Sequence, residues 1–139
     1  MKNIPDICIT ETQDAIIRLA EKRSVIRFHN TDRKVYKKVQ IDGCAIREGE
    51  KCDNMLCSHD GHEEMYIELK GSDIPHAISQ LRTTIKKVGE FDGKRCSYIV
   101  CTKVAPHTTT QIQKAKIEFK RCYKSDLIVK ETPLDVILK

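Results

Sequence analysis

The sequence predicts a single α/β domain over residues 1–139, in which a mixed β-sheet is flanked by helices. The chain has 139 residues, 40% of them hydrophobic, which is enough for one buried core. Segments with an apolar residue at every second position alternate with segments at helical spacing. A long helical segment separates the third predicted strand from the fourth, and such a crossover joins parallel strands. The predicted order is αβββαβ over about residues 12–102, followed by a helix and strand extension at 103–139.

The first element is predicted to be a helix at residues 12–23. Residues 10–13 have the spacing of a capping box, and Ile16 and Leu19 follow at helical spacing. Residues 24–28 fit either the end of this helix or the beginning of a strand.

The next segments predict an antiparallel meander. Its strands are expected at residues 34–46, 52–57 and 65–70. In the first of them, Val39 and Ile41 alternate with polar residues, as in a half-buried strand. Asp60-Gly61 is the dipeptide typical of a tight hairpin, and it lies between the second and third strands.

The second half of the chain predicts two helices with a strand between them. Ser72 or Asp73 can cap a helix that tolerates Pro75 in its first turn and ends at Gly89. Residues 96–102 are rich in β-forming residues, which favours a buried strand. The last helix, residues 109–122, has an apolar stripe formed by Ile112, Ala115, Phe119 and Cys122.

Charge limits the functional classes. The net charge of +5, from 25 basic and 20 acidic residues, permits nucleic-acid binding. Basic residues concentrate at 33–38, 86–87 and 114–124, whereas acidic residues collect between Glu48 and Asp73. An acidic centre between basic segments suits a metal site on a phosphate-binding surface. No stretch of eighteen apolar residues is present, so no membrane partner is expected.

The seven cysteines are expected to be reduced. The N-terminal segment lacks the apolar region of a secretory signal, so the sequence predicts a cytoplasmic protein, and disulfides are rare in the cytoplasm. The odd number of cysteines also argues against a complete disulfide framework. Cys96, Cys101 and Cys122 are interpreted as small buried hydrophobic residues.

A charged motif on two strands of the meander carries the functional prediction. Glu68 and Lys70 are two positions apart on one strand, so they share a face, while Ile67 and Leu69 occupy the other. The mean of 53 and 68 is 60.5, so a hairpin symmetric about the predicted turn places Asp53 opposite Glu68. Mg²⁺ takes one or two carboxylates and completes its shell with water and phosphate oxygens. A lysine beside it can stabilise charge on a phosphate or position a water.

This arrangement resembles the PD-(D/E)xK, or restriction-endonuclease-like, nucleases. Asp53 stands where the family has its aspartate, and Glu68-Leu69-Lys70 matches its Glu-x-Lys, although Cys52 replaces the usual proline. The predicted αβββαβ order also agrees with the family core. The resemblance implies that Asp53 and Glu68 bind Mg²⁺ or Mn²⁺, with the Leu69 carbonyl as a further ligand, and that Lys70 is the catalytic lysine.

The resemblance also implies supporting residues. A glutamate on the first helix often contributes to the metal site in such nucleases, and Glu21 is the first candidate and Glu11 the second. Gln80, on the helix after the motif, is a candidate for holding the attacking water or a phosphate. The residues expected to bind nucleic acid are Ser72, His76, Lys86, Lys87, Lys114, Lys116 and Lys120. The expected activity is metal-dependent hydrolysis of nucleic-acid phosphodiesters, with DNA favoured over RNA. A short chain then obtains specificity from nucleic-acid structure, from a homodimer or from a protein partner.

Two other classes remain open. The first is a non-catalytic module that binds nucleic acid or protein on the same fold. The second is a small interaction domain stabilised by zinc, because Cys52, Cys57, His59 and His62 offer four ligands. Two observations argue against zinc. The two cysteines are an odd number of positions apart, so on one strand they would point to opposite faces, and both histidines lie in the predicted hairpin turn. A Cys–His hydrolase is disfavoured, because no cysteine lies at a predicted helix start, where the pKa of its thiol would be lowered. The sequence also lacks the glycine-rich motifs that bind nucleotide phosphates.

Overall fold

The chain folds into three layers, with two helices on one face of a six-stranded sheet and a three-stranded sheet on the other. The structure is a computed structural model and describes residues 1–70, 73–90 and 93–139, with only the backbone of Lys70. The strands are β1 (Ile9–Thr12), β2 (Ile16–Glu21), β3 (Ser24–His29), β4 (Tyr36–Gln40), β5 (Asn54–Ser58), β6 (Glu63–Lys70), β7 (Lys94–Cys101), β8 (Ser125–Glu131) and β9 (Leu134–Ile137). The helices are α1 (Ile74–Val88) and α2 (Thr109–Tyr123).

The large sheet is mixed, as predicted. Its strand order is β1-β4-β5-β6-β7-β8, and β4, β5 and β6 form an antiparallel meander. α1 then crosses over so that β7 pairs parallel with β6, and α2 does the same for β8 beside β7. Asp73 caps α1 by accepting a hydrogen bond from the His76 amide at 3.1 Å, and Gly89 follows its end. The predicted meander, crossover helix, following strand and last helix are therefore confirmed, but the first meander strand ends at Gln40, and residues 41–46, predicted as part of it, form a turn.

The predicted helix at residues 12–23 is wrong. This region contains the end of β1 and all of β2, which forms a hairpin with β3, so residues 24–28 belong to a strand. Ile17 and Leu19 alternate with exposed residues and are buried against the large sheet. The apolar residues of this segment fit helical spacing as well as alternation. Pairing with β3, whose Ile26 and Phe28 are also buried, decides in favour of the strand.

The core consists of two apolar clusters, one on each face of the large sheet. Tyr66 belongs to the cluster on the helix side, whereas Ile67 and Leu69 belong to the cluster under the three-stranded sheet. The alternation predicted for β6 is thus confirmed, and Glu68 lies on the same face as Tyr66. α1 and α2 cover that face.

Two expectations about cysteines are wrong. Cys8 and Cys44 form a disulfide, because the pairing of β1 with β4 brings the segment before β1 close to the turn at residues 41–46. Cys122 is exposed, since the buried stripe of α2 ends at Phe119. Cys52, Cys57 and Cys101 are buried free thiols.

A buried charge network holds the N-terminus against β6. Glu64 is 2% exposed and accepts hydrogen bonds from Tyr66 Oη and Arg95 Nε, each at 3.0 Å. Its other oxygen lies 2.9 Å from the Met1 amine. Arg95 is only 10% exposed, so the two charges depend on each other for compensation.

No helix in the described ranges has the length and apolar character needed to cross a membrane.

Candidate metal and phosphodiester site

The site begins where the β5–β6 ladder ends. Asn54 pairs with Ile67 as the last regular pair of the ladder, which puts Asp53 opposite Glu68 as the next pair. The register predicted from the hairpin is therefore confirmed. The Asp60-Gly61 turn fixes this register, because the Gly61 amide bonds to the Ser58 carbonyl at 3.0 Å and Gly61 adopts a φ of +79°.

Each of the two carboxylates accepts a hydrogen bond from the backbone of the other strand. Glu68 Oε1 accepts from the Asp53 amide at 3.1 Å, and Asp53 Oδ2 accepts from the Leu69 amide at 2.8 Å. These side-chain bonds replace the backbone ladder at the point where it stops. Glu68 is 2% exposed, whereas Asp53 is half-buried and reaches the surface. The two side chains therefore bond the ends of β5 and β6 together through backbone amides, with Asp53 nearer the surface than Glu68.

α1 holds the segment that leads into Asp53. Gln80 Nε2 donates to the Lys51 carbonyl at 3.0 Å, and Thr84 Oγ1 accepts from the Cys52 amide at 2.8 Å. The hydroxyl of Thr84 also donates to the Gln80 carbonyl at 2.8 Å. Gln80, predicted to hold a water or a phosphate, thus contacts the backbone two residues before Asp53. Sequence reasoning missed Thr84, although a threonine on an otherwise apolar helix stripe is a signal for such a role.

The turn at residues 41–46 holds Asp53 from the other side. The Asp53 carbonyl accepts hydrogen bonds from the Ile41 amide at 3.1 Å and the Asp42 amide at 3.2 Å. Cys44 lies in this turn, and its disulfide to Cys8 ties the turn to β1. The backbone of Asp53 is therefore fixed by three parts of the chain that are distant in sequence.

Asp53 lines a polar groove of about 750 Å³ at the edge between the two sheets. Glu21, at the end of β2, lines the same groove although the predicted helix is absent. Lys38, from the basic segment at 33–38, and Arg18, which was not among the predicted site residues, line it too. Glu11 lies elsewhere, with its Oε1 3.9 Å from His59 Nδ1 beside the hairpin turn.

The residues predicted to bind nucleic acid are dispersed. α1 runs antiparallel to β6, so Lys86 and Lys87 in its last turn lie at the end of the sheet opposite to Glu68. Lys120, near the end of α2, lies at that far end and pairs with Asp126 at 2.9 Å. His76, in the first turn of α1, is exposed at the near end. The remaining two, Lys114 and Lys116, are exposed on α2.

Two predicted positions fall outside what the structure describes. Ser72 lies between the described ranges. The backbone of Lys70 pairs with Cys101 at the end of β6, but its side chain lies outside the description. The catalytic lysine of the motif remains a prediction.

Cysteine chemistry is disfavoured beside the carboxylates. Burial raises the pKa of the Cys52 thiol far above its usual value, and the nearby charges of Glu68 and Asp53 raise it further, against a hydrogen bond from Thr84. Cys52 therefore stays a neutral thiol at physiological pH and is no nucleophile.

The four candidate zinc ligands are not arranged as a cage. His59 and His62 are exposed in the turn, whereas Cys52 and Cys57 are both buried in the helix-side cluster. The expectation that the two cysteines face opposite ways is wrong, because Cys52 precedes β5 and follows a different course. Within residues 1–70, 73–90 and 93–139, no three His, Cys, Asp or Glu side chains come together as a metal-binding group.

The carboxylate pair itself suits a hard cation that keeps most of its water. Asp53 and Glu68 supply carboxylate oxygens on adjacent strands, and one or two carboxylates are what Mg²⁺ commonly takes from a protein. The donor set thus fits Mg²⁺ or Mn²⁺ better than zinc, which prefers nitrogen and sulfur ligands.

Comparison of the chain with protein-family models, curated proteins and solved structures finds no match.

Proposed function

We propose that the protein is a Mg²⁺- or Mn²⁺-dependent nuclease that hydrolyses phosphodiester bonds of nucleic acid, with DNA favoured over RNA. The observation that carries the proposal is the reciprocal bonding of Asp53 and Glu68, through amides at 3.1 and 2.8 Å, at the end of the β5–β6 ladder. Glu68 is 2% exposed, so its carboxylate is not a solvated charge on the strand surface, and a buried carboxylate requires compensation.

In this proposal, Asp53 and Glu68 hold the cation, and the Leu69 carbonyl is a further candidate ligand. A bound cation acidifies a water and neutralises charge on the phosphate. The amides of Asp53 and Leu69 keep the carboxylate oxygens oriented, and Gln80 and Thr84 fix the segment that carries Asp53. Lys70, two residues after Glu68, is the candidate for orienting the attacking water or stabilising the phosphate.

The topology supports a restriction-endonuclease-like core as part of the proposal. β4, β5, β6, α1 and β7 follow the strand and helix order of the resemblance, with β7 parallel to β6. The β2–β3 hairpin occupies the sequence position at which that resemblance implies a helix. Glu21 of this hairpin lines the same groove as Asp53, but among the described residues it does not join Asp53 and Glu68 in a three-residue metal-binding group.

Cleavage assays test the proposal directly. Supercoiled plasmid, linear duplex, single-stranded DNA and RNA are incubated with Mg²⁺ or Mn²⁺ and the wild-type protein, Glu68→Gln or Lys70→Ala. Glu63→Gln is the matched control, because Glu63 begins the same strand but at its opposite end. Circular dichroism verifies that each variant is folded.

The proposal predicts metal-dependent cleavage by wild type and Glu63→Gln, and none by Glu68→Gln or Lys70→Ala. Cleavage that survives both substitutions contradicts it. Nucleic-acid binding without cleavage of any substrate favours the alternative of a binding module on the same fold.

A cytoplasmic location is also proposed, and the disulfide makes it testable. Disulfides are uncommon in the cytoplasm, whereas the structure pairs Cys8 with Cys44. Thiols are alkylated at the moment of cell lysis, and mass spectrometry then shows whether Cys8 and Cys44 were reduced or joined in a disulfide. Alkylated Cys8 and Cys44 support the cytoplasmic location, and protection of both argues for an oxidising compartment.

A further inference from the structure

A second charged cavity lies at the end of the molecule remote from Asp53. Its volume is about 330 Å³, and it lies where the last turns of α1 and α2 meet the segments that follow them. Five basic side chains and one acidic side chain line it: Lys2, Lys86, Arg95, Arg121, Lys124 and Glu90. This excess of positive charge in one enclosed place predicts an anionic ligand.

The positive charge of the cavity is only partly compensated by the protein. Arg95 is neutralised, because its Nε bonds to Glu64 at 3.0 Å. Glu90 lies 3.3 Å from the Met1 amine. The other four basic side chains are exposed, and they make no salt bridge and no side-chain hydrogen bond with any part of the chain that the structure describes. Four cations therefore line the cavity without a carboxylate bonded to them among the described residues, and Glu118 lies near enough to Lys86 for their charges to interact.

The dipoles of the helices explain only part of this cluster. Lys86 and Arg121 lie in the last turns of α1 and α2, where a cation is favourable beside the terminal carbonyls. Lys2 and Lys124 lie outside both helices. The Lys2 amide is anchored to the Val88 carbonyl at 2.9 Å, which places this residue at the end of α1. The four cations thus come from three separate segments of the chain that converge on the same cavity.

The backbone conformation of Lys124 costs some stability. This residue follows α2 and has a φ of +51°, the left-handed conformation for which glycine or asparagine is favoured. Lys22 and Arg33 also have a positive φ, so this conformation alone does not indicate a ligand. What Lys124 contributes to the cavity is a further cation.

We propose that this cavity is a phosphate-binding site for a nucleic-acid strand. Phosphodiester groups carry the negative charge that the four cations require, and lysine and arginine are their usual partners. The site does not depend on catalysis at Asp53 and Glu68, so it holds also for a non-catalytic binding protein.

Binding measurements without cleavage test this inference. Fluorescence anisotropy of a labelled oligonucleotide, single-stranded or duplex, is measured in EDTA over a range of salt concentrations. The test variant is Lys86→Gln/Arg121→Gln. The control is Lys34→Gln/Lys94→Gln, which removes the same charge from a different surface beside the hairpin turn. We expect the slope of log K against log salt to fall by about two in the test variant. The control retains the wild-type slope.

A third variant separates binding from stability. Lys124→Gly removes a cation and relieves the left-handed backbone, so it should keep or raise resistance to urea while weakening oligonucleotide binding. ATP is the probe for a free phosphate compound: if only ATP binding weakens in the variants, the cavity binds phosphate from a nucleotide instead of a strand. Unchanged oligonucleotide and ATP binding in both cavity variants, Lys86→Gln/Arg121→Gln and Lys124→Gly, overturns the inference. Because no cleavage is measured, these outcomes are independent of the nuclease proposal.

Discussion

Thr84→Val tests how the candidate site is held in place. Thr84 is fully buried on α1, and its Oγ1 accepts a hydrogen bond from the Cys52 amide at 2.8 Å, one residue before Asp53. Valine has nearly the same shape and lacks the acceptor. The Cys52 amide then loses this partner inside the protein, which costs about 1–3 kcal/mol. The Gln80 carbonyl, to which the hydroxyl also donates, lies in the helix interior and keeps its backbone partner.

Thr83→Val is the matched control for this measurement. Thr83 is the preceding residue of the same helix, is only half-buried, and makes no side-chain hydrogen bond with any described residue. The change in helix propensity from threonine to valine is the same at both positions. Any difference between the two variants therefore reports the hydrogen bond, and we expect Thr83→Val to stay within about 0.5 kcal/mol of wild type.

Urea unfolding followed by circular dichroism gives the free energy of unfolding of both variants. We expect a lower midpoint for Thr84→Val with an unchanged m-value, because the folded state stays compact. Amide hydrogen exchange at Cys52 should also accelerate in that variant alone. A difference below about 0.5 kcal/mol between the two variants, with equal exchange at Cys52, refutes the reasoning that α1 holds this segment.

Further predictions concern the buried network around Glu64 and a surface cluster in which Asp135 of β9 lies 2.8 Å from Arg27 and 2.9 Å from His29, both of β3. Glu64→Gln should lower the free energy of unfolding by about 3 kcal/mol, because it leaves the buried Arg95 guanidinium without its carboxylate. In the same urea experiment, Glu63→Gln on the same strand should leave the free energy of unfolding almost unchanged. The hydrogen bonds of Asp135 with Arg27 and His29 hold the pKa of its carboxyl well below the usual value. In the unfolded chain the pKa of the Asp135 carboxyl is higher than in the folded protein. The contribution of Asp135 to stability is therefore fully present above the unfolded pKa and is lost as the pH falls through the folded pKa. Carboxyl NMR should show Asp135 still ionised at acidic pH, and its pKa should rise in Arg27→Gln; an unchanged pKa in that variant contradicts the assignment.

The hairpin that carries the carboxylates could be predicted from the sequence. The turn dipeptide and the two-residue period of strands together set the register, so Asp53 opposite Glu68 follows from positions alone. The face of β6 that carries Glu68 follows from the buried Ile67 and Leu69. Local patterns suffice for this part of the site because the two strands are adjacent in sequence.

Pairings between distant segments could not be predicted in this way. β9 pairs parallel with β3, and the Cys8–Cys44 disulfide depends on the pairing of β1 with β4. In the predicted first helix, Ile16 and Leu19 fit a helical period, and only pairing with β3 shows that the segment is a strand. Thr84 illustrates the same limit, because its partner Cys52 is 32 residues away.

Mn²⁺ binding, measured by electron paramagnetic resonance, tests the central claim most directly. The claim is that Asp53 and Glu68 share one divalent cation. The account predicts that wild type and Glu63→Gln bind Mn²⁺ with equal affinity, and that Glu68→Gln binds it at least about tenfold more weakly. Equal affinity of all three proteins for Mn²⁺, or no binding by wild type, contradicts the account.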